Sequence, residues 1–236
     1  MAQYQQMKRQ GIRFVVASGN QYYQLISFFP EIAHEIAFVA ENGGWVVSEG
    51  EDVFNGELAK ADFQAVVEHL LTRADVEIIA CGKNSAYTLK RYDDALKAVA
   101  AMYYHRLEFV DNFNNISDVF FKFGLNITDE RIPEVQAALH DAIGDIMVPV
   151  HTGYGSIDLI IPGVHKATAC VCYSSAGAFM IVKWWYSATA ATILRCCVRP
   201  GLVLPCRTPA KRSRRRRNTA PDRTIRKACW ISSTAY

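Results

Sequence analysis

The sequence predicts an α/β protein in two parts, and three observations predict it. First, Ile12-Arg13-Phe14-Val15-Val16-Ala17 is an apolar run without alternation that ends in Ser18-Gly19-Asn20. Such a run reads as a strand buried on both faces in a parallel sheet. Second, from Leu58 to Pro162 the chain alternates amphipathic helices with strands, the texture of a separate α+β module inserted into the first unit. Third, the chain changes character near its end. No Asp or Glu occurs between Asp158 and Asp222, Arg214 to Arg217 form an unbroken basic run, and six of the seven cysteines follow Ala167. The overall charge of +3 on 236 residues hides that asymmetry.

The elements follow in order. Residues 1–10 suit a helix with Gly11 at its C-cap, and they are too polar for a signal peptide. The strand over residues 12–17 comes next. Residues 20–29 suit a second helix, stopped by Pro30 because proline lacks the N–H that a helix interior needs. Phe38-Val39-Ala40 is a short buried strand, and Glu41-Asn42-Gly43-Gly44 turns the chain into Trp45-Val46-Val47 as a hairpin.

In the module, Phe63, Val66, Val67, Leu70 and Leu71 mark one face of a helix over residues 61–71. Strands are expected at 76–82, 86–88, 119–126, 146–150 and 156–161, and helices at 93–102 and 132–143. No stretch is long and apolar enough to span a bilayer, for which about 18 uninterrupted residues are needed. With a single cysteine before residue 167, this part reads as a protein of a reducing, cytoplasmic compartment.

Ligands of open α/β sheets collect outside the carboxyl ends of the strands, where Ser18, Gly19 and Asn20 fall. A hydroxyl, a glycine that lets N–H groups approach an anion and an amide suit a phosphate. The same three residues equally suit a simple helix cap, with Ser18 as the capping side chain. Lys166, just past a strand and a Pro162-Gly163 turn, can reach an anion at the sheet edge, although alone it reads as a solvated loop lysine. His105, His140 and His151 lack metal-ligand spacing, and Cys81 reads as a buried apolar filler.

Three segments carry a family resemblance: Phe14-Val15-Val16-Ala17-Ser18-Gly19-Asn20, then Glu41-Asn42-Gly43, then Asp158-Leu159-Ile160-Ile161-Pro162-Gly163-Val164-His165-Lys166-Ala167. Their order and spacing resemble the haloacid dehalogenase superfamily, and within it the Cof-type sugar phosphatases of enterobacteria. The resemblance implies a Rossmann-like core with an inserted α/β cap of the C2 type. It divides the chain into a partial core (residues 1–57), a cap (58–162), a return to the core (163–167) and a tail (168–236). It also implies a Mg²⁺-dependent phosphatase acting through an aspartyl-phosphate on small phosphorylated metabolites such as sugar phosphates. A carboxylate attacking a phosphorus that already bears negative oxygens needs a cation and donors around it.

Residue by residue, Ser18 matches the hydroxyl that binds the phosphoryl group, Gly19 and Asn20 match the loop after it, and Lys166 matches the charge-neutralising lysine. The family's Asp-x-Asp-Gly-Thr, which holds the nucleophile and the acid/base, and its Mg²⁺-binding Gly-Asp-x-x-Asn-Asp have no match. No catalytic residue and no metal ligand is therefore assigned in this chain. The resemblance implies a start downstream of the first motif.

It also suggests a shifted reading frame. Plausible codons for Lys183 to Cys197, read one base over, give Glu-Val-Val-Val-Phe-Gly-Asp-Gly-Gly-Asn-Asp-Ile-Glu-Met-Leu, which restores the missing strand and metal motif. A frameshift near residue 167 accounts for the absent acids, the surplus cysteines and the arginine run together. On this reading the tail is irregular, and Arg214 to Arg217 are not a nucleic-acid site, nor Cys170, Cys172, Cys196 and Cys197 a metal site. Without its missing neighbours, the strand over residues 12–17 should present an unpaired edge. The expectation is an inactive chain that keeps its phosphate contacts, the alternative being a dedicated phosphate- or sugar-phosphate-binding protein. The partner is a small phosphorylated metabolite, with neither nucleic acid nor membrane involved.

Overall fold

The computed structural model describes residues 2–169, apart from 12, 154 and 167. The basic run, the six late cysteines and the tail beyond residue 169 lie outside the described residues.

Helix α1 (Ala2–Arg9) leads to strand β1 (Val15–Ala17), helix α2 (Tyr22–Ser27), strand β2 (Ala37–Ala40), a 3-10 turn (Glu41–Gly43), and strands β3 (Trp45–Ser48) and β4 (Glu51–Asn55). These strands form one sheet in the order β1-β2-β3-β4. β1 runs parallel to β2, with Val15 opposite Ala37, and the other pairs are antiparallel. One face packs Leu25, Ile32, Ile36, Phe38 and Ala40 under α2, and the other packs Ala37, Val39 and Val46 against Ala169.

The strand expected at 12–17 is shorter than predicted and, among the described residues, lies at the sheet edge as expected, not buried on both faces. Its regular part has three residues, and none is fully buried. With β2 on one side only, it cannot be enclosed on both faces as β2 is. The helix expected at 20–29 is likewise trimmed. Phe28 already occupies its C-cap, two residues ahead of Pro30, because the residue before proline is disfavoured in helical backbone. β4 was not foreseen. With only Val53 and Phe54 apolar, it forms because β3 offers it a ladder.

The second sheet is larger. Helix α3 (Lys60–Leu71), strands β5 (Glu77–Gly82) and β6 (Ala86–Leu89), helix α4 (Asp94–Tyr103), strands β7 (Leu107–Val110) and β8 (Phe120–Asn126), helix α5 (Ile132–Ile143), and strands β9 (Val148–Gly153) and β10 (Ser156–Ile160) complete the described chain. The strand order is β7-β6-β5-β8-β10-β9. β7, also not foreseen, joins parallel to β6. Asp93 caps α4 by accepting from the Leu96 N–H at 2.7 Å.

Strand side chains alternate between faces, and here the alternation divides labour. Phe123 and Leu125 of β8 and Ile157 and Leu159 of β10 point into the core beneath α3 and α5. α3 supplies Phe63, Val66, Val67 and Leu70 at helical spacing, and α5 supplies Ile132, Val135, Leu139 and Ile143. On the opposite face, α4 covers β5 and β6 through Ala100, Ile79, Cys81 and Ala86. The other half of that face, over β8, β10 and β9, opens into a cleft. No helix among the described residues is long and apolar enough to cross a membrane.

Candidate functional site

The chain leaves β1 through Ser18, whose N–H still donates to the Val39 carbonyl at 2.9 Å, so the loop is pinned to β2. The Asn42 N–H donates back to the Ser18 carbonyl at 3.1 Å. The Ser18 hydroxyl donates to Asn20 Oδ1 at 2.9 Å and accepts from the Asn20 N–H at 3.2 Å. Asn20 Nδ2 is held in turn by Gln24 Oε1 at 2.6 Å. Ser18 does not cap α2: that helix begins at Tyr22 with Gln21 at the N-cap position and no side-chain cap bond. The capping alternative is therefore not the geometry found.

Two glycines set the close approaches. A Cβ on Gly19 would meet Asn42 Oδ1 at 2.7 Å. Gly43, at φ +105°, faces the backbone of His165, whose carbonyl carbon would lie 2.6 Å from a Cβ there. A side chain at Gly43 would push away the segment that carries Lys166. The loops at 18–20, 41–44 and 163–166 thus close on one another. Ser18, Gly19, Asn20 and Lys166 all line the same cleft, of about 910 Å³, at the junction of the two sheets.

A buried polar cluster at the inner end of that cleft was missed in the sequence. Lys122 of β8 is 3% exposed. Its Nζ donates to the Gly19 carbonyl at 2.6 Å and stands 3.2 Å from Asp158 Oδ2 and 3.3 Å from Glu41 Oε2. Asn42 Nδ2 donates to the same Asp158 oxygen at 2.5 Å. One ammonium therefore ties the phosphate-loop candidate, the 41–43 turn and the large sheet together. The signal was available: a lysine inside Phe120-Phe121-Lys122-Phe123 and an aspartate inside Ile157-Asp158-Leu159 interrupt apolar strands, and buried charges are paired when they persist.

The electrostatics follow from burial. Burial pushes the Glu41 carboxyl up to about 7, with Lys122 pulling it down and Asp158 pushing it further up. Glu41 Oε2 lies within ion-pair distance of Lys122 but lacks a well-aligned hydrogen bond. Burial alone would lower the Lys122 ammonium, yet the Asp158 and Glu41 carboxylates more than offset it and hold the group well above its usual range. Tyr104 and Cys81 are both raised by desolvation, so neither is a nucleophile at neutral pH.

The described residues of the cleft do not fit a divalent cation. Asp158 is the acidic residue among the described residues lining it, and its carboxylate is already engaged by Lys122 and Asn42. Among the described residues, no group of three or more His, Cys, Asp or Glu side chains could hold a metal. His105 and His140 are exposed away from the cleft, whereas His151 lines it.

The protein family described as haloacid dehalogenase-like hydrolase matches residues 2–176. Over 167 residues the chain is 84% identical to the 5-amino-6-(5-phospho-D-ribitylamino)uracil phosphatase YbjI of Escherichia coli (strain K12). That match covers 71% of this chain and 62% of that protein, so the chain spans less than two thirds of its relative's length. Among solved structures, SMU.1108c from Streptococcus mutans UA159 superposes with a TM-score of 0.70 at 26% identity, covering 75% of this chain and 67% of that one. The HAD subclass IIB sugar phosphatase BT4131 shares the fold, with a TM-score of 0.58 at 12% identity over 75% of this chain and 67% of that one.

Proposed function

The chain belongs to the haloacid dehalogenase-like hydrolase family, and from that premise we propose that its cleft binds the phosphate of a small phosphorylated metabolite without hydrolysing it. The observation that carries this reading is the convergence of Ser18, Gly19, Asn20 and Lys166 on one cleft. A hydroxyl donor and an ammonium suit a phosphate monoester, since charge-assisted hydrogen bonds to phosphate oxygens are the stronger kind. The 84%-identical relative is named for a phosphatase of a phosphorylated ribitylamino-uracil, which supports a substrate of that general kind.

Turnover needs more than this chain supplies. The sequence contains neither Asp-x-Asp-Gly-Thr nor Gly-Asp-x-x-Asn-Asp. Without a carboxylate at the phosphorus and without a fitting Mg²⁺ site, no step through an aspartyl-phosphate can be built from its residues. Losing a catalytic nucleophile commonly costs about 10⁴–10⁶ in rate. We read residues 1–57 and 163–167 as the part of the family core that is present, 58–162 as the cap over the ligand, and 168–236 as the product of a shifted frame. DNA sequence across codon 167 tests that last reading: a clean frame with no alternative motif downstream would sink it.

The binding reading is tested by calorimetry on the 236-residue chain with ribitol 5-phosphate, alongside hydrolysis of p-nitrophenyl phosphate with Mg²⁺. Binding should be weakened by Ser18→Ala and by Lys166→Met, each by roughly tenfold, the scale of one charge-assisted hydrogen bond. Turnover should be absent. Measured turnover overturns the claim of inactivity, and absence of binding overturns the phosphate site.

A further inference from the structure

The Ser18 hydroxyl is the first link of a hydrogen-bond chain that leaves the cleft and ends on α4. It donates to Asn20 Oδ1 at 2.9 Å. Asn20 Nδ2 donates to Gln24 Oε1 at 2.6 Å. Gln24 Nε2 donates to the Met102 carbonyl at 3.0 Å. Gln24 belongs to α2 and is buried, so the middle of the chain is shielded from water. Met102 lies in the last turn of α4, where a carbonyl has no partner within the helix and takes its donor from outside.

That last link sets the direction of all the others. A carbonyl only accepts, so Gln24 must turn its NH₂ group toward Met102 and its Oε1 toward Asn20. The Gln24 oxygen also only accepts, so Asn20 must turn its NH₂ group toward Gln24 and its Oδ1 toward Ser18. The single proton of the Ser18 hydroxyl is thereby committed to Asn20. The loop itself is held from the other side. Lys122 Nζ donates to the Gly19 carbonyl at 2.6 Å. In a planar trans peptide the Asn20 N–H then points the opposite way, toward Ser18 Oγ at 3.2 Å.

A phosphate dianion has oxygens that accept and no proton to give. Ser18 can donate to it only by withdrawing its proton from Asn20 Oδ1. Asn20 cannot flip to compensate, because the flip would turn Gln24 as well and set its Oε1 against the Met102 oxygen. Resting on the phosphate site proposed above, we infer that Gln24 is a positioning residue: through Asn20 it holds the Ser18 proton away from the ligand, and so couples phosphate affinity to the end of α4. The chain opposes binding by the net worth of one hydrogen bond, a factor of about five. Coupling is reciprocal, so a bound phosphate loosens the Gln24–Met102 bond by the same factor.

The experiment is calorimetry on the full chain with ribitol 5-phosphate at pH 8, where a phosphate monoester, with a second pKa of about 6, is a dianion. Gln24→Met fills the space without donating or accepting, which frees Asn20 to flip. It should tighten binding about fivefold. Gln24→Leu, measured beside it, should give the same gain, so that poor folding of one variant does not decide the result. Gln24→Glu loses the Met102 bond but still accepts from Asn20, and it should give no gain. Combined with Ser18→Ala, the gain from Gln24→Met should vanish, because no hydroxyl proton is left to release. Weaker or unchanged binding in both Gln24→Met and Gln24→Leu, an equal gain in Gln24→Glu, or a gain that persists with Ser18→Ala would overturn the role of Gln24 while leaving the phosphate site standing. If the unaltered chain does not bind the probe, the phosphate site itself fails, and the role of Gln24 falls with it.

Discussion

The two sheets are built from similar apolar segments but enclose them to different degrees. In the large sheet, twenty-two buried residues form one continuous cluster under α3 and α5, including Phe123 and Leu125 of the central strand β8. In the small sheet the described buried residues divide into a group of five under α2, a group of four on the opposite face, and Trp45 and Val47 of β3 packed with Phe121 of β8. Its first strand, β1, contributes two half-buried valines and an exposed alanine at an edge among the described residues. The difference teaches that hydrophobic sequence sets the potential for burial, whereas the number of covered faces sets how much of it is realised. It also shows where the regions depend on each other. Lys122 and Asp158 of the large sheet reach the 18–20 and 41–43 loops of the small one, and Gln21 Nε2 donates to the Arg106 carbonyl at 2.7 Å while its Oε1 accepts from the Arg106 N–H at 2.9 Å.

The sharpest way to break this comparison is to cut that dependence. Lys122→Met leaves the buried carboxyls of Glu41 and Asp158 without their cation, and removing one partner of a buried ion pair costs about 3–5 kcal/mol. Urea denaturation should show that loss, and the double variant with Glu41→Gln should recover part of it. A loss under about 1 kcal/mol would mean that the pair does not hold the regions together.

The contrast in enclosure gives a second test. Leu70→Ala, in the continuous cluster, should cost about 2–5 kcal/mol, as large-to-small changes in a closed core do. Val16→Ala on β1 removes side-chain carbon that is only partly buried and should cost about 1 kcal/mol. Equal losses in urea denaturation would show that the edge strand is as enclosed as the continuous core under α3.

A third test concerns pH. The Glu41 carboxyl is raised in the folded state from its ordinary value of 4.5 to about 7. The folded protein therefore binds this proton more tightly than the unfolded chain. The stabilisation is complete below about 4.5 and disappears as pH rises through about 7. Stability at pH 8 should fall below that at pH 5 by roughly 1–3 kcal/mol from this group. Glu41→Gln should flatten that part of the profile. An unchanged pH slope in the variant would remove Glu41 as its source.

Much of the fold was legible in the sequence because periodicity is local. The helices at 61–71 and 132–143 and the strand at 119–126 come within one residue of their observed bounds, since each presents an apolar face at its own repeat. β4 and β7 were not legible, because edge strands of mixed polarity form when a neighbouring strand offers a ladder. The positions of Ser18 and Lys166 were readable from motif order, whereas the Lys122 cluster showed only as charges interrupting apolar runs.

The sequence by itself determined the kind of elements, their order and the residue types able to meet a phosphate, because these depend on side-chain chemistry and short-range spacing. Only the tertiary structure decided that Ser18 turns toward Asn20 instead of capping α2, and that Lys122 reaches Gly19 across 103 residues of chain. The physical reason is that enclosure and ion pairing depend on which distant segments share a surface, and backbone closure at Gly43 against His165 fixes that for the three loops of the cleft.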